Sequence, residues 1–101
     1  MIDLLKLQQE ILENKINKGF NVTDINLEFC YTYWELAEAF EAYRKKLPDL
    51  GEELADVMIY LLGLSAILKI DLEDEILKKV EKNRKREYKN IDGVNTRTKD
   101  V

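Results

Sequence analysis

Acidic residues recur at i and i+3 on both sides of a single turn in WELAEAFEAYRKKLPDLGEELAD, residues 34–56: Glu35 with Glu38, then Glu53 with Asp56. If helices flank the turn, each pair projects from one helix face, about 60° apart around the axis and roughly 4.5 Å apart along it. Like charges at that spacing repel, and either water or a metal ion must offset the repulsion. The position of Asp56 favours the metal. It lies one turn into an otherwise apolar segment, where an unpaired buried carboxylate is costly or stays protonated. Four carboxylates without histidine or thiol make a hard oxygen set, suited to Mg²⁺ or Mn²⁺ rather than zinc or copper. Mg²⁺ held in this way keeps positions open for substrate phosphates, so the chemistry in view is phosphate chemistry.

Two further groups belong to this picture. Tyr31 and Trp34 share a helical face with Glu35, Glu38 and Ala42. That face either borders a ligand or packs its tryptophan against another helix or subunit while the acids meet water. Lys79, Asn83 and Arg86 fall at i, i+4 and i+7. On one helix side they suit phosphate oxygens; the plainer reading is a basic helix end complementing its own dipole.

Helices must position these residues. Leu4, Leu7, Ile11 and Leu5, Leu12, Ile16 form a stripe that predicts a first helix over about 3–18, with Gly19 as a left-handed stop. Thr23 or Asp24 is the next N-cap. Phe29, Tyr33, Leu36, Phe40, Tyr43 and Leu47 then repeat at fours and threes, predicting a second helix over about 25–46 with an apolar face, ended by Pro48. Asp49 with Glu52 reads as a capping box for a third helix over about 50–69, apolar nearly all round and therefore expected to be buried by several neighbours. Asp71 caps a fourth, with Leu72, Ile76, Leu77 and Val80 facing the core. The tail from residue 91 to 101 has no periodicity and is expected to be mobile. The fold class is all-α: a four-helix domain over 1–90, an antiparallel bundle or part of a larger one shared between subunits.

Composition narrows the function. The 101 residues suffice for one small domain that gains from association with a second copy. A net charge of −4 argues against duplex DNA or anionic membrane as the main partner. The distribution is uneven: residues 28–75 hold twelve acids and four bases, residues 78–101 nine bases and four acids. The absence of histidine removes histidine triads, most zinc enzymes and the Glu-x-x-His pattern of di-iron bundles. Cys30 stands alone, so no internal disulfide forms and a reducing cytoplasm is the expected setting. MIDLLKLQQEILENK has no basic region ahead of an apolar run, so no signal peptide is expected. VMIYLLGLSAIL, twelve residues, is too short to span a bilayer.

ELAE, a fourteen-residue spacer, then ELAD resembles the Glu-x-x-Glu … Glu-x-x-Asp signature of the MazG-like all-α nucleoside triphosphate pyrophosphohydrolases. The likeness runs from about residue 4 to 90, through ELAEAFEAYRK and GEELADVMIYLLGLSAILKIDLEDEILKKVEKNRKRE. It implies a MazG-like four-helix bundle completed by oligomerisation, as homodimer or homotetramer, with sites near subunit interfaces. It implies Glu35, Glu38, Glu53 and Asp56 as Mg²⁺ ligands, and Lys79, Asn83 and Arg86 as groups that approach the triphosphate. The expected activity is hydrolysis of a nucleoside triphosphate to monophosphate and pyrophosphate, with Glu38 or Glu35 taking the proton of the attacking water. The base is expected between helices one and two, stacked on Trp34, Tyr31 or Phe20. One departure is visible: many members carry a further glutamate directly before the first pair, where this chain has Trp34. Fewer metals, altered activity, or a ligand from Glu28 or Glu41 would follow. The rival reading is a non-catalytic helical module whose acidic and aromatic face binds a protein partner or a second copy.

Overall fold

The computed structural model describes residues 1–99. It contains α1 (Leu4–Asn17), α2 (Ile25–Arg44), α3 (Leu50–Ile67) and α4 (Leu72–Lys85), followed by β1 (Glu87–Ile91) and β2 (Val94–Lys99). The starts of α2 and α4 follow the expected caps, Asp24 and Asp71, and Asp3 does the same for α1: each accepts a backbone N–H from the first turn of the helix that follows. The capping box at Asp49 does not form, since its side chain makes no cap hydrogen bond.

The helix ends are also local decisions. At Gly19, with φ of 74°, Phe20 N–H bonds to Lys15 C=O and Gly19 N–H to Ile16 C=O, the paired bonds of a Schellman stop. The same pairing recurs at Lys46 and Lys69, which adopt φ of 56° and 58° without glycine's freedom.

α3 is the hub, with α2 and α1 both packed along it. Gly63 lets α1 come close: a β-carbon there would stand 3.3 Å from Ile11 Cγ2 and 3.5 Å from Lys15 Cδ. Gln8, 1 % exposed, ties the α3–α4 connection to α1 by donating to Ile70 C=O and accepting from Leu72 N–H. Leu4 N–H adds a bond to the Glu73 carboxylate. α4 therefore packs against α1 and builds no comparable interface with α2 or α3.

Two expectations need correction. The apolar stripe of α2 does not enter a core within the chain: Phe40 and Tyr43 remain 60 % and 66 % exposed, and Phe29, Tyr33, Leu36 and Leu47 are exposed with them. α2 instead turns Glu28, Ala39 and Ala42 inward. Likewise α3 is buried only over Leu62–Ser65, while Leu54, Met58, Ile59, Leu61 and Leu68 stay exposed. Three helices cannot cover all the apolar surface that these residues carry. The radius of gyration, 17.0 Å, exceeds the roughly 13 Å of a compact chain this long.

The tail from residue 91, expected to lack regular structure, forms an antiparallel hairpin together with residues 87–90 of the expected helical domain, and Ile91 pairs with Val94 around Asp92-Gly93. Both turn residues have positive φ, 50° and 80°, as a two-residue hairpin turn demands. The Ile-Asp-Gly-Val run was the legible signal for it. The last two residues of that tail lie outside the described residues. Among the described residues no helix is long and apolar enough to cross a membrane.

Candidate functional site

Antiparallel packing of α2 on α3 across the 45–49 turn brings the two acidic pairs face to face. Carboxylate oxygens of Glu35, Glu38 and Glu53 all lie within 4.8 Å of one another. Asp56 stands outside that triangle yet beside it, close enough for its charge to act on Glu35 and Glu53. Burial, then the charges of Glu38, Asp56 and Glu53, raise the Glu35 carboxyl above its ordinary range. Burial, followed by Asp49, Glu38 and Asp56, does the same to Glu53. Packing has thus set burial and mutual repulsion together on these carboxyls.

One atom makes the group more than a solvated acidic surface. Glu53 Oε2 is buried and has no hydrogen-bond partner. A buried lone acceptor is costly, the more so when charged, and a cation at the centre of the triangle would remove that cost. All donors are carboxylate oxygens, the set that a hard divalent ion takes. The residues present fit such an ion.

The neighbours are now defined. Trp34 Nε1 donates to Glu38 Oε1 at 2.6 Å, so the tryptophan orients a carboxylate. Tyr31 packs edge-to-face on Tyr60 of α3, with ring centroids 6.2 Å apart. Tyr60 was not singled out by sequence reasoning, although it lies one turn beyond Asp56 on the same helix side. Its phenol is pushed up by burial and then by Glu35, Glu28, Tyr31 and Asp56, so it borders the acidic group.

Glu28 is not a spare ligand. It is 1 % exposed, ion-paired with Lys15 and hydrogen-bonded by Asn21 Nδ2 at 3.2 Å. Glu41 is engaged on the surface by Lys45 and Arg44. Lys79, Asn83 and Arg86 sit on α4 and its cap, which builds no substantial interface with α2 or α3. Asn83 Oδ1 accepts from Arg86 Nη1 at 2.9 Å, linking two of the three. A cavity beside the site opens between α1 and α3, where Phe20 is a wall; Trp34 and Tyr31 do not line it.

The profile of the MazG nucleotide pyrophosphohydrolase domain matches residues 27–90, which contain α2 from its third residue on, all of α3 and α4, and every carboxylate of the site. No curated protein and no solved structure matches the chain.

Proposed function

The chain belongs to the MazG nucleotide pyrophosphohydrolase domain family, and from that premise we propose that it hydrolyses a nucleoside triphosphate between the α and β phosphates, releasing monophosphate and pyrophosphate. The observation that carries the reading is the buried, unpartnered Glu53 Oε2 within the Glu35–Glu38–Glu53 triangle. Glu35, Glu38 and Glu53 would hold Mg²⁺, or Mn²⁺ in its place, with Asp56 completing the charge beside them. When bound, the ion neutralises phosphate charge and lowers the pKa of a water.

The chain's own groups divide the remaining work. Glu38 Oε1 is engaged by the Trp34 indole, while burial and then the charges of Glu38, Asp56 and Glu53 raise the Glu35 carboxyl, which suits Glu35 to take the proton of the attacking water. Lys79, Asn83 and Arg86 stabilise the departing pyrophosphate by charge and hydrogen bonding. α4 leans on α1 rather than on the acidic helices, so these groups are best supplied to a site by a neighbouring copy. The exposed stripe of Phe40, Tyr43 and Leu36 gives such a copy an apolar surface to bind, in a homodimer or homotetramer. Assaying pyrophosphate release from a panel of ribo- and deoxynucleoside triphosphates with Mg²⁺ tests the reading. Orthophosphate and nucleoside diphosphate as first products would reject it.

A further inference from the structure

The cavity between α1 and α3, with a volume of about 340 Å³, is walled by Ile11, Phe20, Ile59 and the ring of Tyr60. Its polar groups come from one helix, α1: Glu10, Asn14 and Lys15. The size and the mixture of apolar walls with few polar groups are those of a small-molecule pocket.

Lys15 is held unusually well for a lysine. Its side chain is only 12 % exposed, its ammonium pairs with buried Glu28, and it lies 4.9 Å from the centroid of the Tyr60 ring. Asn21 in turn fixes Glu28, and Gly63 leaves room for the lysine stem against α3. An ammonium has three N–H donors; the carboxylate takes one and the ring face occupies another direction. Buried ion pairs give little stability over apolar residues of similar volume. The arrangement therefore supplies a fixed donor at a cavity wall, which an apolar pair would not.

We propose that this cavity receives the base of the nucleotide, and that Lys15, positioned by Glu28, donates to a ring carbonyl on the base edge. The inference rests on the nucleotide reading above. Phe20 and Tyr60 offer aromatic surface to a planar ring. Tyr60 is also the wall shared with the acidic group: it stands one turn beyond Asp56 on α3 and packs on Tyr31 of α2, with ring centroids 6.2 Å apart. A base in the cavity thus leaves its phosphates beside the carboxylates. Uracil, thymine, guanine and cytosine offer the ammonium a carbonyl oxygen and adenine only ring nitrogens, so Lys15 favours carbonyl-bearing bases over adenine.

The test compares the wild-type protein with the double variant Lys15→Met, Glu28→Met, which leaves no buried charge unpaired. Kinetics are measured with UTP and ATP, and binding of free uridine and adenosine by calorimetry without metal. The variant is expected to raise KM for UTP about 10- to 100-fold, the worth of a hydrogen bond to a charged donor, with kcat and the ATP parameters little changed. Equal losses for both nucleotides, or none for either, would overturn the inference. Should the variant not fold, ring resonances of Phe20 and Tyr60 in the wild type decide: they shift with uridine more than with adenosine, or the inference falls. Hydrolysis of triphosphates with selectivity indifferent to Lys15 sinks the inference and keeps the pyrophosphohydrolase reading. Uridine binding that depends on Lys15, with no triphosphate hydrolysed, does the reverse.

Discussion

The indole N–H of Trp34 donates to a carboxylate oxygen of Glu38 across 2.6 Å, one helical turn away on α2. Residue 34 thereby contributes a donor to a group of acceptors, and it ties an optical reporter to a carboxylate of the proposed metal site.

Because of that bond, a cation that draws on Glu38 changes the surroundings of an exposed indole. Trp34 is the only tryptophan, so its emission is expected to respond to Mg²⁺ and to respond further when a non-hydrolysable triphosphate is added. The response should vanish in Glu38→Gln. An emission indifferent to both additions, changing only with protein dilution, would place Trp34 in a subunit contact instead.

Removing ligand charge should separate activity from folding. Glu38→Gln and Asp56→Asn keep side-chain size, and each is expected to lower pyrophosphate release at least about 100-fold, the scale seen when one stabilising group of a reacting centre is lost. Helical content by circular dichroism should stay at the wild-type level. Near wild-type turnover in both variants would remove these carboxylates from the chemistry.

The raised carboxyls set a pH dependence. Glu35 binds its proton more tightly folded than unfolded, so its contribution to stability is complete below the unfolded value of about 4.3 and is lost as pH rises through the raised folded value. Glu53 acts in the same sense. Glu35→Gln escapes this loss. In chelator, the melting temperature of the variant should gain on the wild type as pH climbs from about 4 to neutrality. Mg²⁺ should close the gap by stabilising the wild type alone. A gap that is flat with pH would show that neither burial nor the neighbouring acids raise the Glu35 carboxyl in the folded protein.

Gln8 offers a stability test remote from the acids. Gln8→Leu keeps volume but strands Ile70 C=O and Leu72 N–H, at a cost of about 1–3 kcal/mol by urea denaturation. The seat of α4 on α1 should loosen with it, visible as faster amide exchange at the start of α4.

Exposed apolar residues on α2 make stability a matter of concentration. The melting temperature should rise with protein concentration, as it does when a partner copy binds only the folded state. Phe40→Glu should abolish the rise and reduce the mass seen in sedimentation to that of one chain. A wild-type protein sedimenting as a single chain at all concentrations would leave the stripe without this role.

Much of the protein is written locally. Helix starts at Asp24 and Asp71 and the stop at Gly19 depend on hydrogen bonds within a few residues, so they are legible without tertiary structure. So is the i, i+3 pairing of Glu35 with Glu38 and of Glu53 with Asp56, because helix periodicity alone puts each pair on one face. The hairpin was legible too, in Asp92-Gly93, but strand residues such as Tyr88 and Arg97 show no periodicity that would announce it.

Tertiary structure decided what those faces meet. Periodicity marks Phe40 and Tyr43 as an apolar stripe, yet it cannot say whether the chain has enough partners to cover them; here α3 takes the acidic and alanine side of α2 and leaves the stripe outward. Only packing joined Glu53 to Glu35 and Glu38, stranded Glu53 Oε2, and set Asp56 outside the triangle. Lys15 and Glu28, thirteen positions apart, show nothing in the sequence that pairs them. They become a buried pair because Gly63 admits α1 close to α3, a long-range contact that no local pattern encodes.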